Sequence, residues 1–138
     1  MPKVKQLTVL CGNRPGALAH VASVLGAKRV NIQGFLLRTS GAKGFLQLVV
    51  NNVERAKKAL DEAELRYSEE TVLHARIPNR PGALARFAGR LAAKGINIIS
   101  GYQTIARGSR RASIVLEVSN VERAVRAAGQ TPSGRLYD

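Results

Sequence analysis

The chain has no tryptophan, one cysteine and one methionine, and only three tyrosines and three phenylalanines among its 138 residues. A single cysteine excludes an internal disulfide framework. Cys11 aligns, in the repeat set out below, with Ile77, so it reads as a small buried hydrophobe rather than a reactive thiol. So few rings make poor stacking platforms for single-stranded nucleic acid. Acidic residues are scarce as well: nine Asp and Glu stand against 22 Lys and Arg, a net charge of +13. That charge runs from Lys3 to Arg135 instead of gathering in a tail, and it bears on solubility and polyanion attraction, not on fold. No stretch approaches the roughly 20 apolar residues that cross a bilayer. The start, Met1-Pro2-Lys3-Val4-Lys5, lacks the apolar core of a secretory signal. The expectation is a soluble, cytoplasmic protein that makes no use of a membrane.

Chemistry-bearing constellations are missing too. No paired carboxylates, Ser/His/Asp set or Cys/His set is brought together by the repeat. His20 and His74 occupy non-equivalent positions, and neither has a carboxylate or cysteine at ligand spacing. The sequence is therefore expected to encode no enzyme, to hold no metal and to need no cofactor.

What the chain does have is a copy of itself. Asn13-Arg14-Pro15-Gly16-Ala17-Leu18-Ala19 recurs letter for letter as Asn79-Arg80-Pro81-Gly82-Ala83-Leu84-Ala85, 66 positions on. Ala27-Lys28 returns as Ala93-Lys94 and Asn31-Ile32 as Asn97-Ile98. The offset then becomes 68, where Asn52-Val53-Glu54-Arg55-Ala56 returns as Asn120-Val121-Glu122-Arg123-Ala124. Two residues were thus inserted between Ile98 and Asn120, in the turn-like stretch around Arg107-Gly108-Ser109-Arg110-Arg111. The expected units are 1–69 and 70–138, each small enough to need support from the other or from a second chain.

Each unit opens with alternating residues, Leu7, Val9 and Cys11 or Leu73, Ala75 and Ile77, the mark of a strand with one covered face. Leu18, Val21, Ala22 and Leu25, or Leu84, Phe87, Ala88 and Leu91, form a helical stripe. A second strand starts at Asn31-Ile32 or Asn97-Ile98. The third carries Leu46, Leu48 and Val50, or Ile114, Leu116 and Val118, on one face, with a polar-leaning face opposite. Asn52 and Asn120 are placed to cap a second helix. A fourth strand near Leu65 to Ser68 runs into the second unit through Glu69-Glu70-Thr71-Val72. Its counterpart, Arg135-Leu136-Tyr137, is interrupted by Pro132 and Gly134. The order predicts an α+β protein of two ferredoxin-like βαββαβ units, antiparallel sheets with helices on one face.

The repeated turn is the candidate site. Pro15 and Pro81 are expected at the first helical position, where the missing N–H is not needed. Gly16 and Gly82 let a second molecule approach the backbone. The amides of Gly16, Ala17 and Leu18, and of Gly82, Ala83 and Leu84, would then point outward at the positive end of the helix dipole, ready for a carboxylate or phosphate. Asn13 and Asn79 could cap the helix or bond a ligand; the residues leave both open. The plainer alternative is that Asn, Pro and Gly only end a strand and begin a helix.

The pattern strand, Asn-x-Pro-Gly-x-Leu, helix, Asn-Ile, strand resembles the ACT domain, a small amino-acid-sensing regulatory module. Asn13, Pro15, Gly16, Leu18, Asn31 and Ile32 carry the resemblance in one half, and Asn79, Pro81, Gly82, Leu84, Asn97 and Ile98 in the other. Two such units without a catalytic domain resemble the stand-alone tandem ACT proteins of bacteria. In those, amino acids bind where units meet, between this turn and the start of a neighbour's second strand. The resemblance implies a non-catalytic regulatory protein whose ligand carboxylate meets the amides of Gly16, Ala17 and Leu18, or of Gly82, Ala83 and Leu84. Asn13 and Asn31, or Asn79 and Asn97, would add side-chain hydrogen bonds beside Ile32 or Ile98. The copies differ next to the turn, with Cys11-Gly12 facing Ile77-Pro78 and His20 facing Arg86, which implies unequal affinities or ligands.

Two other readings compete. The RNA recognition motif shares the topology, and Lys43-Gly44-Phe45 begins its third-strand signature correctly. Gln47 then stands where a second ring is needed, Thr8 where the first strand should offer one, and the second copy has Arg111-Ala112-Ser113. Sequence-specific RNA binding is not expected, while weak, salt-sensitive attachment to polyanions through Arg107, Arg110 and Arg111 stays open. The remaining class is pure assembly, since open edge strands favour pairing between chains, and a homodimer is predicted.

Overall fold

Strand, helix, strand, strand, helix, strand is the order that the periodicities set, and it is the order observed. The structure is a computed structural model and describes residues 3–128. The elements are β1 (Lys3–Gly12), α1 (Ala17–Ala27), β2 (Ile32–Ser40), β3 (Lys43–Val50) and α2 (Val53–Glu62), then β4 (Tyr67–Pro78), α3 (Ala83–Ala93), β5 (Ile98–Thr104), β6 (Arg111–Val118) and α4 (Val121–Ala128). No helix among the described residues is long and apolar enough to cross a membrane.

The described chain divides into two bodies, residues 5–70 and residues 71–128 together with residues 3–4. In the first, the strand order is β2-β3-β1-β4. β3 runs antiparallel to both β1 and β2, with Leu7 opposite Leu48 and Phe35 opposite Leu48 on its two sides. The amide of Leu10 donates to the Arg66 carbonyl at 2.8 Å, holding β1 to the approach of β4. Alternation then sends Leu7, Val9, Leu46 and Leu48 to one face, where they pack with Val21 and Leu25 of α1 and Leu60 of α2.

In the second body the order is β4-β6-β5. Leu73, Ile77, Ile114 and Leu116 meet Phe87 and Leu91 of α3. β4 is one 12-residue strand, so the first unit's fourth strand and the second unit's first strand are continuous. Its residues through Glu70 belong to one body and those from Thr71 to the other. Lys3 also lies with the second body, where its Nζ donates to Glu122 Oε1 at 2.8 Å. The strand expected at Arg135-Leu136-Tyr137 lies outside the described residues.

The inserted pair falls in a hairpin. β2 and β3 close through Gly41 and Ala42, with Ser40 paired to Lys43, whereas residues 105–110 separate β5 from β6. Asn52 Oδ1 accepts from Arg55 N–H and Asn120 Oδ1 from Arg123 N–H, both at 3.0 Å, so both asparagines cap as expected.

One expectation needs revision. The sheet face away from the helices reads as polar-leaning in sequence, yet Gln6, Gln47, His74 and Ser113 there are buried alongside Val49 and Val115. Gln6 meets its buried hydrogen-bonding need at an acid that it shares with Thr8. Thr8 Oγ1 donates to Glu70 Oε1 at 2.6 Å and Gln6 Nε2 to the same oxygen at 3.3 Å.

Candidate functional site

A Pro-Gly pair favours a type II turn, because proline presets its second position and glycine accepts the positive φ of its third. Both repeats form it. Gly16 has φ 86° and ψ −7°, Gly82 has φ 85° and ψ −12°. The Ala17 amide donates to Arg14 C=O and the Ala83 amide to Arg80 C=O, each at 3.2 Å. The prolines therefore sit in the turn and not at the first helical position; the helices begin at Ala17 and Ala83 with the glycines as N-caps. Ala17 and Ala83 have spent their N–H groups on this closure. The first-turn donors left to each helix are the amides of Leu18 and Ala19, or Leu84 and Ala85.

Asn13 and Asn79 do not cap the helices with their side chains. The Asn13 side chain donates to Gly41 C=O at 2.9 Å, and its amide to Ala42 C=O at 3.1 Å. Asn79 repeats this on the other hairpin, to Ser109 C=O at 3.1 Å and Arg110 C=O at 2.8 Å. Both residues pin the turn to its hairpin. Asn31 and Asn97 are likewise engaged through backbone: their amides donate to Asn51 Oδ1 at 2.9 Å and Ser119 Oγ at 3.0 Å. Ile32 and Ile98 open β2 and β5 immediately after.

The four helix starts fall into two kinds. α2 and α4 carry an asparagine cap and a first-turn acid, Glu54 or Glu122. α1 and α3 have no side-chain cap and no first-turn acid. Their positive ends are left without compensating charge. In α3 the charge is reinforced, since Arg86 Nη1 lies 3.2 Å from where a Gly82 Cβ would stand.

Beside that bare start lies a cleft of about 390 Å³, within the size range of small-molecule sites. Leu84 of α3 forms one wall and Ile98, Gly101, Tyr102 and Gln103 of β5 the other, over a floor of Ile114 and Leu116. Sequence periodicity put Leu84 on the core stripe. The stripe in fact centres on Ala83, Phe87 and Leu91, which leaves Leu84 52% exposed and facing the cleft. Of the twelve expected site residues, Leu84 and Ile98 are thus joined in one cavity. Gly101, Tyr102, Gln103, Ile114 and Leu116 line the same cavity and were not among the expected residues. The third-strand leucine and isoleucine looked like core alone, and a register irregularity between Ile98 and Ser100 shifts the β5 alternation in a way no periodicity announces.

Comparisons with known proteins agree with this architecture. The family model of the ACT domain matches residues 5–64 and again 71–130. No curated protein matches. Among solved structures, protein BT0572 from Bacteroides thetaiotaomicron is similar at a TM-score of 0.85 and 28% identity, covering 91% of this chain and 86% of that one. The regulatory subunit of aspartate kinase from Thermus thermophilus, in its ligand-free form, is similar at 0.65 and 19% identity, covering 89% of each chain. The corresponding subunit from Thermus flavus gives 0.59 and 18%, covering 93% of this chain and 91% of that one.

Proposed function

This chain belongs to the ACT domain family in both of its repeats, and on that premise we propose that it is a non-catalytic regulatory protein of the cytoplasm that binds a small amino acid. The observation that carries the reading is the contrast between helix starts. α2 and α4 neutralise their own N-terminal ends, while α1 and α3 do not, and the bare end of α3 opens onto a cleft. A ligand α-carboxylate would accept from the amides of Leu84 and Ala85 with the Arg86 guanidinium alongside. Gly82 and Ala83 build the turn that aims those amides, Asn79 holds it, and Leu84 and Ile98 flank the bound molecule. The matching set in the first repeat is Asn13, Gly16, Ala17, Leu18, Asn31 and Ile32, with Asn97 the counterpart of Asn31. The regulatory subunits from the two Thermus species share the fold, which is what their similarity supports.

We propose further that the protein works as a homodimer, with ligand stabilising the paired state by mass action. β2 and β5 end their respective strand orders and carry exposed Phe35, Leu37, Ile98 and Ile99. Those same side chains favour the second reading, a ligand-free assembly module. A thermal-shift screen of the proteinogenic amino acids separates the two. A reproducible rise with one of them supports the sensor, and no rise with any, from a chain that light scattering shows to be dimeric, supports assembly.

A further inference from the structure

The two repeats are superimposable in register at the strand that walls the cleft, and they differ there in one decisive side chain. In the first repeat Ile32 pairs with Val50, the register slips between Ile32 and Gly34, and Phe35 then stands opposite Leu48 and Leu37 opposite Leu46. In the second, Ile98 pairs with Val118, the slip falls between Ile98 and Ser100, and Gly101 stands opposite Leu116 and Gln103 opposite Ile114. Gly101 is therefore the counterpart of Phe35, and Gln103 of Leu37.

Directly opposed residues of an antiparallel pair share a face. Leu48 and Leu116 belong to the helix-facing cores, so Phe35 and Gly101 lie on the helix side, where the cleft is. At Gly101 there is no side chain at all, and the Leu116 side chain occupies the place one would take: a Cβ on Gly101 would lie 2.3 Å from Leu116 Cδ2. The resulting floor is aliphatic and the lining carries no charge; Gln103 and Tyr102 bring its polar groups, an amide and a phenol. In the first repeat a benzyl group stands in that position, 51% exposed.

We infer that the chain carries one working ligand site, in the second repeat, that this site takes an amino acid with an uncharged aliphatic side chain, and that Phe35 closes the equivalent groove of the first repeat. The inference rests on the amino-acid reading given above and specifies which repeat and which side chains. The carboxylate would face the start of α3, and the aliphatic group would lie on Leu116 and Ile114. A charged side chain gains nothing there to offset its desolvation. Gly101 is the specificity-determining residue, and Phe35 is a built-in plug.

Isothermal titration of the full chain with L-valine, L-leucine and L-isoleucine, against glycine, L-aspartate and L-lysine, tests this. The expected result is one aliphatic amino acid per chain, preferred over glycine and both charged ones. Gly101→Phe should weaken it by about tenfold or more, and Phe35→Gly should raise the count from one per chain to two. Because Gly101→Phe must displace Leu116 and can fail to fold, Phe35→Gly, at an exposed edge position, decides independently. If no amino acid binds, both this inference and the amino-acid reading fall. If one binds but charged ligands are preferred, the wild type takes two per chain, folded Gly101→Phe binds normally, or Phe35→Gly leaves the count unchanged, the inference alone is overturned.

Discussion

Asn31 and Asn51 hold each other by two hydrogen bonds: the Asn31 amide donates to Asn51 Oδ1 at 2.9 Å, and the Asn51 amide donates to the Asn31 carbonyl at 3.1 Å. The second repeat makes the same clasp between Asn97 and Ser119, with a hydroxyl in place of the amide oxygen. The function of the pair is to fix where β2 begins, and hence the wall on which any groove depends. Asn51→Ala should cost about 1 kcal/mol by urea unfolding, while Asn51→Ser should recover most of it, because serine already does this work at the equivalent place.

The Arg-Pro-Gly turns demand positive φ, 86° at Gly16 and 85° at Gly82. Alanine at either position should cost roughly 1–3 kcal/mol of stability. The loss should be greater at Gly82, where the new Cβ would come within 3.2 Å of Arg86 Nη1, than at Gly16, where nothing lies within 4 Å. Equal losses in denaturant melts would show that the arginine is free to move aside.

Capping offers a control that leaves the candidate site alone. Asn52→Ala and Asn120→Ala each remove a side-chain acceptor from a helix start, and each should lower stability by about 1 kcal/mol. Neither should change the size of any ligand-induced thermal shift.

The exposed Lys3–Glu122 pair sets an acid-range signature. Hydrogen bonding and charge from Lys3 hold the Glu122 carboxyl below its ordinary value. The folded chain then takes up this proton less readily than the unfolded one, so the contribution is complete above the ordinary carboxylate pKa and fades as pH falls through the depressed one. Comparing wild type with Glu122→Gln between about pH 6 and pH 3, the wild-type advantage in unfolding midpoint should shrink toward zero. A constant gap would mean the pair is not formed in solution.

With 22 basic residues against nine acidic, some affinity for DNA or RNA is expected at low salt and should vanish between about 50 and 200 mM. Phe45, the one ring placed like a nucleic-acid stacking residue, already has the Arg38 guanidinium 4.5 Å from its centroid. A tight complex insensitive to salt would overturn the amino-acid reading in favour of nucleic acid.

Most of the architecture was legible because period-2 and period-3.6 patterns were printed twice, and a copy confirms what a single pattern leaves ambiguous. The capping role of Asn52 and Asn120 was equally plain, since that chemistry is local. The turn was located but misassigned in detail. Pro-Gly serves a helix start and a type II turn alike, and only the Ala17–Arg14 and Ala83–Arg80 hydrogen bonds decide between them. The cleft was half visible. Leu84 and Ile98 follow from the motif, but Gly101 and Gln103 are reached through a register slip that depends on the partner strand. Asn13 and Asn79 point to hairpin carbonyls some 30 residues away in sequence, a contact no local pattern encodes.

A receptor point built from main-chain N–H groups has an uncommon relation to mutation. Every residue but proline supplies that group, so the identities at Leu18, Ala19, Leu84 and Ala85 can drift without removing a donor. The shape of the bend is what must persist, and it rests on Gly16 and Gly82. Such a contact is hard to erode one side chain at a time and is lost all at once when the glycine goes. On the proposed reading, selection can retune what lies beside the bend, as at Phe35 and Gly101, while leaving the anchor untouched.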